Sequence, residues 1–148
     1  GELARTLLRR RRRREVNRGD GLLKTAKRVA GLFPHAPQVR EISFSTTQRA
    51  RWGSYSAATG AIRLHAALAS MPPWVLEAVI AHELAHVFHR DHSAAFWTLL
   101  RSVCPAADRA RAFLDGVSWL ARRWDSLAPS ERAHLGADAL SGDEGATV

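Results

Sequence analysis

Apolar positions along the chain change their period twice. Leu22, Leu23, Ala26, Val29, Ala30 and Phe33 recur at intervals of three and four, with Lys24, Lys27 and Arg28 off that stripe, which predicts an amphipathic helix closed by Phe33-Pro34. From Val39 the period drops to two. Ile42 and Phe44 alternate with Ser43 and Ser45 in a strand reaching about Thr47, and Ile62 and Leu64 alternate with Arg63 and His65 in a second, shorter strand. Ala57-Ala58-Thr59-Gly60 lies before it as a turn, so this part reads as a hairpin. Helical spacing then returns. Pro72-Pro73 suits a first helical turn, Glu77 lies early enough to complement the helix dipole, and Leu76, Val79, Ile80, Leu84, Val87 and Phe88 supply an apolar face. Ser93 is a fit N-cap for a further helix to Val103 carrying Phe96, Trp97, Leu99 and Leu100. Pro105 ends it, and residues 106–124 form another around Phe113, Leu114, Val117, Trp119 and Leu120. The expected fold class is α+β: a small antiparallel sheet packed on the Pro73 helix, with further helices around it.

The two ends depart from this pattern. Residues 2–18 have helical spacing at Leu3, Leu7 and Leu8, but Arg9 to Arg14 set guanidinium groups all round the axis. Such a block repels itself and stays in solvent, as a solvated arm or a polyanion contact. Asn17-Arg18-Gly19-Asp20-Gly21 interrupts the helix. From Ser126 the chain is rich in Ala, Gly, Ser and acids, a composition for a disordered or frayed tail. The expected organisation is a basic arm over 1–20, one domain over 21–125 and a tail over 126–148. Charge sharpens that division. The formal net charge is +8, and residues 1–28, with 11 Lys/Arg against 3 Asp/Glu, hold all of it. No apolar run approaches the ~18–20 residues of a membrane span, and no signal peptide is recognisable, so a cytoplasmic location with no membrane partner is expected. A lone Cys104 excludes an internal disulfide, fits a reducing compartment, and reads as a small buried apolar residue.

The chemistry is concentrated in residues 79–97, where four of the seven histidines fall. His82-Glu83-Leu84-Ala85-His86 is an HExxH pentad in a helical run. Residues four apart on a helix share a face, so His82 and His86 can present two imidazoles to one tetrahedral Zn²⁺, with Glu83 beside them within reach of a water. His92 follows after five residues, a spacing that returns a third imidazole once the helix ends. A later Glu is an alternative third ligand, but none occurs between Glu83 and Glu131, and Asp108 and Asp115 read more simply as solvated helix carboxylates. A glycine three residues after the second histidine would suggest a metzincin pattern; His89 stands there, and the lone Met71 precedes the site. His92 is therefore the best third ligand. His89 lies seven residues past His82, two turns away, and reads as a residue behind the ligands or as cleft wall, not as a ligand. His65 reads as an exposed strand residue or the rim of a substrate groove.

Arg51-Trp52-Gly53-Ser54, a short strand, Pro72-Pro73 and then the run from Val79 to Trp97 together resemble the YgjP-like metallopeptidase domain, a relative of the SprT-like proteases. The likeness covers about residues 36–120 and leaves the arginine arm and the tail outside. It implies a zincin-like fold, His82, His86 and His92 as zinc ligands, and Glu83 as catalytic acid/base. The chain departs at Tyr55, where the family usually has Cys.

The function expected from both lines is a zinc-dependent metallopeptidase acting on a protein or peptide substrate. Glu83 takes a proton from the attacking water and passes it to the leaving amine. An extended substrate is expected to pair along the Ile62–His65 strand. Arg51, Tyr55, His65 and His89 are the candidates to stabilise the oxyanion. The competing reading is a nucleic-acid-associated module, with Arg9–Arg14 on phosphates and a structural or vestigial metal site. Both hold together in a protease working on DNA-bound proteins.

Overall fold

Gly60 sits at a tight reversal and carries a positive φ of 65°. A side chain there would meet the Arg40 Cγ at 3.0 Å and the Gln38 carbonyl at 3.2 Å, so only glycine fits. Its N–H donates to the Ser56 carbonyl at 2.8 Å, and its own carbonyl accepts from the Arg40 N–H at 2.8 Å. One residue thus closes a hairpin and fastens the start of another strand to it. A computed structural model describes residues 1–16, 21–47 and 51–136, the side chains of 12–16 excepted.

The strands are β1 (Glu41–Ser45), β2 (Gly53–Ser56) and β3 (Ala61–His65), in the order β1-β3-β2. β2 and β3 are antiparallel, with Gly53 opposite Leu64 and Ser56 opposite Ala61. β1 and β3 are parallel, with Glu41 opposite Ala61 and Ser45 opposite His65. The sheet is therefore mixed, which corrects the expected small antiparallel sheet. The missing piece was β2. Gly-Ser-Tyr-Ser has no apolar alternation, yet its insertion between the other two in sequence reverses the chain once more and makes β1 and β3 parallel. The order also makes β3 the central strand, bonded on both sides. It has no edge to offer, so the expected pairing of a substrate along Ile62–His65 is ruled out.

The helices are α1 (Glu2–Val16), α2 (Gly21–Ala30), α3 (Pro73–Ala85), α4 (Ala94–Val103), α5 (Ala107–Arg123) and α6 (Pro129–Gly136), with a 3-10 turn over Ala66–Ser70. The chain divides into two compact units, Gly1–Arg111 and Ala112–Val148. In the first, Ala26 and Val29 of α2, Ile62 and Leu64 of β3, Val75, Ile80 and Leu84 of α3, and Phe96 and Leu100 of α4 are all buried. Leu68 of the 3-10 turn joins them, and Phe33 stacks on Phe88 at 5.6 Å between ring centroids. Arg28 of α2 forms an ion pair with Glu77 of α3. Glu77, expected only to complement a dipole, is thus a link between helices.

Three expectations shift at element ends. α3 stops at Ala85 with His86 as its C-cap, so the helical phase is lost and Val87, expected on the apolar face, is 43% exposed. Leu3, Leu7 and Leu8 lie on α1 as expected but remain exposed. Residues 129–136, expected in an unstructured tail, form α6, because Pro129 suits the first turn and the Glu131 carboxylate accepts from the Ala128 N–H at 2.9 Å. The expected break at 17–20, the side chains of Arg12–Arg14 and the tail beyond 136 fall outside the described residues. No helix among the described residues is long and apolar enough to cross a membrane.

Candidate metal centre

α3 is buried along most of its length: Val75, Ala78, Val79, Ile80, Ala81, Leu84 and Ala85 are all in the core. His82 and Glu83 occupy the remaining, half-buried sector. His86, one turn on, is the residue at which the helix ends. A short turn follows, and His92 directly precedes Ser93, whose hydroxyl accepts from the Phe96 N–H at 3.3 Å and so caps α4. The cap fixes where α4 starts, and the start of α4 fixes His92.

These two helix ends bring three imidazoles together. Ring centroids lie 5.0 Å apart for His82 and His86, 5.1 Å for His82 and His92, and 4.8 Å for His86 and His92. One ring nitrogen from each lies within 4.8 Å of the others, and the Nε2 atoms of His82 and His92 are 3.1 Å apart. Two nitrogens on one tetrahedral ion, each at ~2.0–2.1 Å, are about 3.4 Å apart, so the cluster could hold a metal with little adjustment. Phe96 is fully buried and forms the floor, at 4.9, 4.6 and 5.1 Å from His82, His86 and His92. Its ring packs against all three.

Protonation state suits the same role. The Nδ1 of His86 lies 3.0 Å from the His89 carbonyl. A carbonyl only accepts, so Nδ1 carries the proton and Nε2 keeps its lone pair for a ligand bond. His82 is pushed down to about 4, first by burial and then by the charges of His86, His92 and Arg111. It is neutral at pH 7, as a ligand must be. Burial pushes the Glu83 carboxyl up, against the pull of His86 and Arg51. A buried carboxylate that is only partly compensated is a stronger proton acceptor than a solvated one.

The sheet meets this corner at Gly53. A methyl at that position would lie 3.1 Å from the Glu83 Cγ and 3.1 Å from the Val79 Cγ1. The glycine of Arg51-Trp52-Gly53-Ser54 therefore lets β2 press directly on the Glu83 side chain. A glycine inside a strand is itself a sign of close approach, and that was the available clue to its function.

Other expected residues lie elsewhere. Asp108 is exposed and gives both carboxylate oxygens to Arg101, at 2.8 and 3.1 Å; Asp115 belongs to the other compact unit. Tyr55 donates its hydroxyl to the Gln38 carbonyl at 2.8 Å. His65 is half-buried, not exposed: its Nδ1 accepts from the Ala67 N–H at 3.1 Å, capping the 3-10 turn, and its ring tilts on Trp52 at 5.1 Å. His89 serves through its backbone. Sequence reasoning gave Phe96 only a core role and passed over Arg111.

A search of the curated proteins and a search of the solved structures each return no significant match. A family model does match, over residues 2–116. The stretch takes in α1, which the sequence reading had left outside the resemblance, and every element that builds the cluster. The model is that of the YgjP-like metallopeptidase domain, and the chain belongs to that family.

Proposed function

We propose that the chain is a zinc-dependent peptidase in which His82, His86 and His92 hold the ion and Glu83 is the general base. The observation that carries this reading is the convergence of three imidazoles at one helix corner beside a half-buried carboxylate. A donor set of three nitrogens, with no thiolate and no carboxylate in it, suits zinc and leaves a position open for chemistry. When bound, the ion supplies a Lewis acid that activates water and polarises a carbonyl. Glu83 accepts the proton of the attacking water and delivers it to the leaving amine, a contribution of about 10²–10⁴-fold. Arg51, whose charge already acts on Glu83, is the best placed of the expected oxyanion partners. A small sheet pressed on the HExxH helix fits a zincin-like packing.

Substrate pairing moves to β2, which is an edge of the sheet. The Trp52 carbonyl accepts from the His65 N–H at 2.8 Å. By the alternation of an antiparallel ladder, the backbone groups of Gly53 and Tyr55 then face outward. An extended peptide added there would run past Glu83. Cys104 is half-buried, not buried as expected, and burial pushes its thiol up, which supports a packing role and not a nucleophile.

Glu83→Gln tests the mechanism. It removes the proton acceptor and leaves the three imidazoles, so zinc content should match the parent while peptide turnover falls at least ~100-fold. Equal turnover by the two proteins would sink the assignment.

A second reading rests on a separate observation. α1 carries Arg9 to Arg14, and its described side chains are mostly exposed; this supports a non-specific contact with nucleic acid alongside the peptidase.

A further inference from the structure

Trp97 stands at the rim of the histidine cluster, its ring centroid 6.0 Å from that of His82 and 6.3 Å from that of His92. Two cations share its surface. Arg101 lies 5.4 Å and Arg111 4.9 Å from the indole centroid. They are not equivalent. Arg101 is held in a two-point ion pair by Asp108, which spends both of its oxygens there. Among the described residues no carboxylate forms an ion pair with Arg111, although the charge of Asp108 acts on it from beyond hydrogen-bond reach; the guanidinium lies over the indole and the residue is exposed. The indole positions the guanidinium without neutralising it, since a cation over a ring keeps its charge and its outward donors. Through Trp97 the guanidinium lies no more than about 11 Å from the His82 ring, a span that up to about three residues of extended peptide cover at ~3.3 Å each.

We propose that Arg111, seated on Trp97, is a specificity-determining residue that binds a substrate carboxylate beside the scissile bond. The inference rests on the peptidase reading for its reaction but not for its binding chemistry. A guanidinium takes a carboxylate through two parallel hydrogen bonds, a fit that a neutral amide cannot reproduce. The carboxylate has two possible sources, an acidic side chain within the peptide or the terminal carboxylate of a peptide cut near its end.

Matched peptides separate these sources. With the zinc-loaded protein, kcat/KM is measured on a peptide with an internal Glu, its Gln counterpart, and each of these with a free or an amidated C-terminus. The parent should prefer one carboxylate-bearing member of the set by about 10-fold, carried mostly in KM, because the contact is made equally before and during reaction. Arg111→Ala should abolish that preference, and Arg111→Lys should restore part of it. A binding readout stands apart from turnover: calorimetric titration with N-acetyl-glutamyl hydroxamate, its glutaminyl counterpart, and the succinyl and succinamyl hydroxamates. Tighter binding of a charged probe by the parent, lost in Arg111→Ala, establishes the subsite even if no peptide is cleaved, an outcome that would sink the peptidase reading alone. No discrimination between charged and neutral probes, failure of all of them to bind included, overturns the subsite. A preference that persists in Arg111→Ala overturns it equally.

Discussion

A hydrogen atom where other residues carry a methyl decides how closely the sheet approaches the helix that bears Glu83. The gap at Gly53 is 3.1 Å to both Glu83 and Val79, tight enough that a Cβ displaces one of them. Val79 is buried, so Glu83 is the side chain that gives way. Gly53→Ala should therefore lower kcat by about 10-fold through a misplaced base, with destabilisation of about 1–3 kcal/mol and unchanged zinc content. Parental kcat in the Gly53→Ala variant would show that the contact does not position Glu83. His82 gives a second residue-scale expectation, in the metal-free protein. Its folded pKa of about 4 lies below the ~6.5 of an unfolded histidine, so the unfolded chain takes up the proton first as pH falls. The stability associated with a neutral His82 is fully present above pH ~6.5 and is lost on acidification towards about pH 4. Discounted for partial exposure, the loss is about 1–3 kcal/mol. Urea midpoints of chelated protein between pH 7.5 and 4.5 should show it, and His82→Asn should flatten that part of the curve. The pentad was legible because four-residue spacing on a helix is a local rule. The Gly53 contact was not, because it depends on which strand lies over Glu83.

At the scale of elements, the centre is a joint between the end of α3 and the start of α4. His92 belongs to the α4 side, held by the Ser93 cap, while His82 and His86 belong to α3. A bound ion would tie the two ends, and its binding free energy would act as folding free energy for that corner. His92→Ala should then lower zinc affinity by orders of magnitude and bring the Tm of the loaded protein down to that of the chelated parent. His89→Ala should do neither, since it removes an imidazole but keeps the carbonyl that holds His86 Nδ1. Tight loading in His92→Ala with loss in His89→Ala would mean that the wrong third ligand was chosen. The limits of α4 and α5 were readable to within a residue or two because Ser93 and Pro105 are strong local signals. β2 was not, since four small or polar residues carry no period. Without β2, neither the parallel pairing of β1 nor the central place of β3 could be deduced, and the substrate was expected on the wrong strand.

For the whole molecule, charge was more legible than boundaries, because counting needs no fold. The excess of +8 lies in residues 1–28, whose described part forms α1 and most of α2. One of the cations of α2, Arg28, is occupied by Glu77. The six-arginine run is on α1, which lies beside β1 and the 3-10 turn and falls inside the family match. Removing residues 1–20 would therefore disturb packing as well as charge, so neutralisation is the cleaner test. Replacing Arg9–Arg14 with glutamine keeps good helix formers in place and removes six charges. If the run contacts phosphates, the parent should bind duplexes of unrelated sequence alike. Its log affinity should fall with log salt at a slope of about −5, near −0.9 per phosphate neutralised. The six-glutamine protein should lose that binding while keeping its zinc content, Tm and peptide turnover. Fluorescence anisotropy over a salt series reads the first effect, and the other three serve as controls on the fold. Duplex binding that survives neutralisation would place the contact on the rest of the chain, whose net charge is only +2, and would require a local patch instead of a net excess. Loss of turnover together with binding would mean that α1 supports the catalytic unit through its arginines, and that the partition of this chain into a basic arm and a neutral enzyme is wrong.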